Sequence, residues 1–526
     1  MPIIRFLNED TFVPVDSGTT ILEAARSANI ALEAPCNGMG TCGKCDVTLG
    51  DGSVVLSCQY EVTHDITVLV PNKTAENLAV KIISKGETFE YNIAPNIRKD
   101  FNGSVTQVWG GDLLLGEELG DTSALVYGIA LDIGTTTLVA ELIHLNTGDI
   151  VAQESMLNPQ TAYAQDVLSR IHFASEEGGI TTLYDSFLSA FYALRDALSA
   201  SAGVDTQYIY EVIFSGNTAM LHMATGTNPV PLGKYPYISN IDDGEVIAAD
   251  DYGISPFGIV YLPPIISAFV GADITSGILA SRLHKRKGTV LFIDIGTNGE
   301  MVLAHDNQLA ATSTAAGPAF EGMNITCGMR AAPGAIEEFL IADDDTISIK
   351  TIGDQNATGI CGSGLLDIVG ELARTNIVGK TGRFDKKKKD IFGELNGKPV
   401  YPVSDDVILT QADVRQVQLA KGAIRSGITA LLAQLEVAEE NVDEVLIAGS
   451  FGYHLREESL LNIGLLPAAF RGKVQFIGNT SQSGAAAFLL NAEIRDEMKS
   501  LVESIDKIEL ANTPGFEKLF IDSLNF

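Results

Sequence analysis

The sequence lacks several things, and each shortage argues against a class of protein. No apolar run approaches the length needed to span a bilayer, so no membrane is expected as a partner. Positive charge is scarce. Thirty-five Lys and Arg stand against 67 Asp and Glu, a formal net charge of −32. Binding to a phosphate backbone needs clustered Lys and Arg, so no nucleic acid is expected either. The one basic run, Lys386 to Lys389, reads as a solvated loop. The opening stretch "MPIIRFLNEDTFVPVD" lacks a basic segment followed by an apolar one. No signal peptide is visible there, and the expected location is cytoplasmic. Seven histidines follow no ligand spacing. Charged residues make up 19% against 46% hydrophobic, which describes a globular chain, and 526 residues are too many for one compact domain.

Cysteine is also scarce, but it is gathered. Four of the six cysteines lie between Ala34 and Cys58, spaced Cys36-x5-Cys42-x2-Cys45-x12-Cys58. Cys327 and Cys361 stand apart and read as buried thiols. Grouped cysteines in a reducing compartment point to metal or redox chemistry rather than structural disulfides. Zinc sites usually join two close ligand pairs. Here three cysteines crowd one Gly-rich loop and the fourth is alone, which suits a 2Fe–2S cluster on Cys36, Cys42, Cys45 and Cys58. Zinc and a redox dithiol are the alternatives. The flanks read as strands "IIRFL" and "TFVPV", a helix in "TTILEAARSANI" with a Thr20–Glu23 capping box, then strands "CDVTL", "VVLSC" and "ITVLV". That order is a β-grasp, and residues 1–73 resemble 2Fe–2S ferredoxins of the plant and adrenodoxin type. The x12 step to Cys58 is shorter than in ordinary ferredoxins.

Residues 74–126 read as a linker or reduced middle module. It holds two expected strands, "AVKIIS" and "TFEYNI", and a Gly-rich stretch "WGGDLLLGEELGD". From Tyr127 the character changes. "IALDIGTTTLVAEL" and "LFIDIGTNGEMVLA" are two strand–turn–strand units, with Asp294 following Asp132 by 162 residues. The two turns offer amides and hydroxyls to a phosphate from Gly134, Thr135, Thr136 and Thr137 and from Gly296, Thr297 and Asn298. Each Asp can hold a hydrated Mg²⁺ or orient water. "VDEVLIAGSFG" adds a buried strand ending at Gly449 and Ser450, where a flat base can lie against the backbone. "VIFSGNTAMLHM" and "GICGSGLLDIV" read as strand or loop running into a helix start, with Asn217 or Thr218 as one cap. "VRQVQLAKGAIRSGITALLAQL" reads as a long amphipathic helix. Its Arg415, Lys421 and Arg425 either snorkel or reach toward the nucleotide.

The two hairpins and the Ala-Gly-Ser-Phe-Gly turn together resemble the superfamily of sugar kinases, heat-shock chaperone ATPases and actin, over residues 127–500. The fold class expected is α/β multidomain: a β-grasp ferredoxin (1–73), the linker (74–126), and a two-lobed ATPase (127–285 and 286–526). By that resemblance Asp132 and Asp294 are the acidic residues near metal and γ-phosphate, and Gly449 and Ser450 lie beside the adenosine. The whole order resembles the reductive activators of corrinoid proteins. "NPQTAYAQDVLSRI", "AGPAFEGMNITCGMRAAPGAI", "GICGSGLLDIV" and "QADVRQVQLAKGAI" carry the likeness along with the hairpins. Longer relatives are expected to have a separate middle domain that this chain lacks room for.

The resemblance implies ATP-dependent transfer of one electron from a 2Fe–2S centre to Co(II), giving Co(I), in a methyltransferase system. The implied partners are a corrinoid protein and a low-potential donor of ferredoxin or flavodoxin type, and a homodimer is compatible with it. The implied cofactors are the cluster, ATP and Mg²⁺. Glu300 and Glu321 are two candidates to orient the hydrolytic water. A plant-type centre lies near −400 mV, and each further 100 mV of climb costs about 2.3 kcal/mol. A coupling of about 1–3 kcal/mol between nucleotide and partner binding is of that order. The competing classes are a small-molecule kinase with the ferredoxin as sensor, and a chaperone-like ATPase with a structural cluster.

Overall fold

The computed structural model describes residues 1–9, 11–28, 30, 32, 45–70, 86–241, 244–449 and 455–526. At the N-terminus, Ile3–Phe6 and Thr11–Pro14 pair as an antiparallel hairpin. Alternation places Ile4, Phe6 and Val13 on the buried face. The helix Ile21–Ser27 starts where the sequence says it should. Thr20 accepts from the Glu23 amide at 3.2 Å, and Glu23 accepts from the Thr20 amide at 2.8 Å. Its apolar side, Ile21, Leu22, Ala24 and Ala25, is buried on a five-stranded mixed sheet. The sheet order is Thr11–Pro14, Ile3–Phe6, Ile66–Leu69, Asp46–Leu49, Val54–Leu56. Ile3–Phe6 runs parallel to Ile66–Leu69, which completes the expected β-grasp.

The connector departs from expectation. "AVKIIS" lies outside the described residues. "TFEYNI" is not a strand. Phe89 and Tyr91, 5.0 Å apart between ring centroids, instead pack on the core of the region from Tyr127 onward. Backbone bonds from Glu87 to Ile477 (2.7 Å) and from Ala94 to Leu490 (2.8 Å) hold the segment along the strand Val474–Gly478 and the helix Thr480–Leu490. The Gly-rich stretch is structured too. Ile97–Phe101, Val105–Gly110 and Leu113–Leu119 form an antiparallel meander. Its inward residues Ile97 and Val108 are fully buried against the first lobe.

A buried charge ties this meander down. The Lys99 ammonium donates to Glu118 (2.7 Å), to the Leu125 carbonyl (3.1 Å) and to the Tyr210 hydroxyl (2.8 Å). Tyr210 in turn donates to Glu118. Cutting one partner of a buried pair strands the other charge. Glu118→Ala is therefore expected to cost about 3–5 kcal/mol and to expose residues 97–119 to amide hydrogen exchange. Unchanged protection there would show that the network does not anchor the meander.

The region from Tyr127 onward confirms the internal repeat. One sheet runs Ile150–Leu157, Thr137–His144, Tyr127–Ile133, Ile209–Gly216, Ile259–Leu262, Glu245–Ala248. The other runs Gln308–Thr314, Gly299–His305, Val290–Ile295, Glu444–Ala448, Val474–Gly478, with Asp506–Lys507 beside Gln308–Thr314. Each has three antiparallel strands continued by two parallel ones. The first strand of each hairpin is central and covered on both faces, hence its continuous apolar run. The helices Ala272–Ala280 and Thr480–Leu490 pack between the sheets. Ala130, Ile213, Phe292, Leu446 and Phe488 share one core with them.

The helix Gln411–Gln434 buries Val414, Val417, Ala420, Ile424 and Ile428 as expected. Its cations neither snorkel as a set nor reach the cleft described below. Lys421 is 1% exposed and donates to the Asn525 carbonyl, and Arg425 pairs with Glu439 at 2.7 Å. Among the described residues, no helix is long and apolar enough to cross a membrane.

Candidate functional site

Both Asp-Ile-Gly-Thr turns open into one cleft. Asp132 and Asp294 sit at the ends of the two central strands, and the turns bring Gly134, Thr135, Thr136, Thr137, Gly296, Thr297 and Asn298 to the cleft wall. The turns are tight. The Gly134 amide donates to the Thr137 carbonyl and the Gly296 amide to the Asn298 carbonyl, each at 2.9 Å. Those two amides are thus spent within the turns, contrary to expectation, and the threonine hydroxyls are the outward donors. A Cβ on Gly134 would stand 2.7 Å from the Thr137 oxygen, so only glycine fits. Gly449 also lines the cleft, with φ +109, and a Cβ there would meet the Ile295 carbonyl at 2.7 Å and an Asp294 oxygen at 2.9 Å. Ser450 lies outside the described residues.

Among the described residues, five carboxylates line the cleft, from Asp132, Asp273, Asp294, Glu300 and Glu321, against one guanidinium, that of Arg330. Asp132 accepts from Asn479 Nδ2 (2.8 Å) and Ser481 Oγ (2.7 Å). Burial pushes its carboxyl up, and those two donors oppose the push. Burial and the Asp132 charge push Asp294 up to about 7. Asp273, at the first turn of the helix Ala272–Ala280, is pushed up to about 8 by burial and then by Asp294 and Asp132. Glu300, cross-strand from Asp294, is raised well above its ordinary value by burial, Asp273 and Asp294. Asn217 Nδ2 approaches Glu300 Oε1 at 3.4 Å. Among the described residues, no three His, Cys, Asp or Glu side chains close on one direct metal position.

Glu321 spans the two turns. Thr136 Oγ1 donates to its Oε2 at 2.6 Å, and Thr297 Oγ1 donates to its Oε1. Behind the first turn lies Arg170, fully buried, which donates to the Thr135 carbonyl, to the Ala164 carbonyl (3.0 Å) and to Gln160 (3.2 Å). Burial holds its guanidinium down to about 9, while Asp166 and Glu321 pull the other way.

Sequence reasoning missed Asp273, Asn479, Ser481, Arg330 and Arg170 as site residues. One signal was available for Asn479. Gly-Asn-Thr occurs twice, at Gly216–Thr218 and Gly478–Thr480. In both, the Asn caps a helix that starts at the cleft. Cys361, read as a buried thiol, is 3% exposed and lies on the cleft wall before the helix Gly362–Arg374.

In the N-terminal domain, Cys45 and Cys58 are buried with their sulfurs 3.2 Å apart, and neither is in a disulfide. Asp46 pairs with Leu56 and Thr48 with Val54, so the hairpin returns the chain to its starting end. The Ser57 amide donates to the Cys45 carbonyl at 2.8 Å and closes that end. The x12 step is the length of this hairpin. Cys36 and Cys42 lie outside the described residues.

Comparison with known proteins agrees with this arrangement. Residues 6–68 match the family described as a 2Fe-2S iron-sulfur cluster binding domain. Residues 127–286 match the RACo middle region, and residues 288–526 match the C-terminal domain of RACo, the ASKHA domain. The middle region therefore falls on the first lobe, and residues 74–126 lie outside it. The corrinoid activation enzyme RamQ of Eubacterium limosum is 30% identical, covering 98% of this chain and 97% of that protein. The [Co(II) methylated amine-specific corrinoid protein] reductase of Methanosarcina barkeri is 25% identical, covering 76% of this chain and 77% of its own. A solved structure of a reductive activator for corrinoid, iron-sulfur protein aligns with a TM-score of 0.76 at 28% identity, covering 100% of this chain and 98% of that one. With its iron–sulfur domain, its ASKHA domain and full-length likeness to these proteins, the chain belongs to the RACo family of corrinoid-protein reductive activators.

Proposed function

We propose that the protein restores a corrinoid protein from Co(II) to Co(I) by transferring one electron from a 2Fe–2S centre, under control of ATP bound in the cleft. The observation that carries this is the meeting of both Asp-Ile-Gly-Thr turns at one cleft, on the same chain as a hairpin that pairs two buried thiols. Cys36, Cys42, Cys45 and Cys58 would hold the centre. Cys45 and Cys58 are near enough together to serve one iron. A bound 2Fe–2S cluster supplies low-potential one-electron chemistry. A low-potential donor of ferredoxin or flavodoxin type would refill it. A cytoplasmic location and a homodimer fit the same reading.

In the cleft, Thr135, Thr136, Thr137, Gly296, Thr297 and Asn298 would hold the phosphates and Gly449 would lie by the adenosine; Ser450 is assigned there from its place in the sequence alone. Five carboxylates against one guanidinium would repel a bare triphosphate. Mg²⁺ bound with ATP supplies the missing positive charge. The lack of a direct three-ligand set among the described residues fits an ion held mainly by water and phosphate. Asp132, steadied by Asn479 and Ser481, would hold that ion through its water. Asp294, pushed up to about 7, suits a group that takes a proton from attacking water.

The test mixes reduced protein with a Co(II) corrinoid protein and follows the Co(I) absorption band with and without ATP. Co(I) should form with ATP present. No Co(I) under either condition would remove the activator function. Equal Co(I) with and without ATP would remove nucleotide control.

A further inference from the structure

The carboxylate of Glu321 lies where an anion is wanted. Thr136 belongs to the first sheet's turn and Thr297 to the second's, and both hydroxyls point at this one side chain. A threonine hydroxyl has one proton to donate. Each can therefore serve Glu321 or a phosphate oxygen, but not both. We propose that Glu321 occupies the γ-phosphate position in the nucleotide-free cleft, clamps the two turns together there, and is the group that ATP, unlike ADP, must displace. The proposal rests on the reading of the cleft as a nucleotide site.

Charge supports it. Arg170 is fully buried behind the first turn, and Glu321 and Asp166 are the two acids that offset its burial. If Glu321 left and nothing anionic replaced it, the guanidinium would lose part of its counter-charge, which is costly for a buried ion. A γ-phosphate restores that charge; a neutral ligand does not. The attachment allows the exchange. Glu321 ends a single turn, Pro318–Glu321, and is half-buried at the cleft wall rather than locked in the core.

The same geometry predicts how the two nucleotides differ. ADP leaves the γ position open, so the clamp and ADP coexist. ATP and the clamp compete. Glu321 then lowers affinity for ATP selectively. A residue that only orients water would change turnover and leave the ATP-to-ADP preference alone. A purely structural tie between lobes would change both affinities together.

The experiment uses the full chain with its cluster, and titrates Mg²⁺ with ADP or with a non-hydrolysable ATP analogue by calorimetry. Glu321→Gln keeps the size and removes the charge. It is expected to bind the analogue about tenfold tighter or more, with ADP affinity nearly unchanged. Glu321→Asp keeps the charge but is too short to reach both hydroxyls, and should give a smaller rise of the same sign. It also stands in if the glutamine variant folds poorly. Weaker analogue binding, or equal changes for both nucleotides, overturns the clamp while leaving the cleft a nucleotide site. A fall in turnover with an unchanged ATP-to-ADP preference also overturns it, and assigns Glu321 to the water. If the unsubstituted protein binds neither nucleotide, the reading of the cleft fails and the clamp with it.

Discussion

Asparagine in place of Asp294 is expected to cut ATP hydrolysis by at least about a hundredfold and, at the same time, to make the nucleotide-free protein more stable at pH 8. The two effects share one cause. Asp294 is buried and lies within the field of Asp132, and its carboxyl is pushed from 3.8 to about 7. Between those pH values the folded protein holds a proton that the unfolded chain has released. Stability from this group is complete below the unfolded pKa and is lost as pH rises through about 7. Asp273, pushed up to about 8, extends the window upward. A shift of this size bounds the Asp294 contribution at about 4 kcal/mol. The melting temperature of the empty protein should therefore fall from pH 5 to pH 8, and fall less in Asp294→Asn. Mg²⁺ with nucleotide should reverse the trend, because a cation favours the ionised carboxylates. Below pH 7 its affinity should drop about tenfold per unit for each proton displaced. Thermal melts at stepped pH, with and without Mg²⁺ and nucleotide, decide the matter. A steeper decline in the variant than in the parent would show that Asp294 is not the strained group.

Asp132 and Asp294 were legible because each lies on a short local pattern: a buried strand, a tight turn and a second strand. Such a unit is decided by neighbours in sequence, and its repetition at a fixed offset raised the signal above chance. Asp273, Asn479 and Ser481 belong to the same cleft but reach it from two helix starts far along the chain. No local pattern marks a residue whose role comes from packing between sheets. The connector erred in both directions for related reasons. "TFEYNI" alternates aromatic and polar residues as a strand does, yet it joins no sheet, and its aromatic rings anchor it to the core of the two-sheet region. "WGGDLLLGEELGD" reads as Gly-rich, but Gly110 and Gly111 serve the turn between two paired strands, with φ +56 at Gly111. Composition described the turn and hid the strands beside it. Lys421 was misjudged because a helical period gives the face a residue lies on, not the depth at which a later segment covers it.

Removing the Cys58 thiol is expected to have the largest effect on electron transfer. Cys58→Ala should lose the visible absorption and electron-paramagnetic signal of a 2Fe–2S centre, and Co(I) formation should fall at least about a hundredfold for want of a fourth thiolate. ATP hydrolysis should persist, since every residue assigned to Mg²⁺ and nucleotide lies at or beyond Asp132. The spacing from Cys45 is short for a ferredoxin, but the hairpin explains it. Asp46–Leu49 and Val54–Leu56 go out and return, and the Ser57-to-Cys45 backbone bond fixes the end where the two sulfurs meet. The alanine variant leaves that bond and the apolar residues of the domain core in place. Far-ultraviolet circular dichroism unchanged from the parent would then separate loss of a ligand from loss of the fold. Cys327→Ala serves as the control, because Cys327 packs against the core of the second lobe and should not affect the spectrum. Cys58→Ser is the sharper variant, since its oxygen occupies the same place without a thiolate's softness. An unaltered 2Fe–2S spectrum in Cys58→Ser would remove Cys58 from the ligand set and leave its pairing with Cys45 a matter of packing alone.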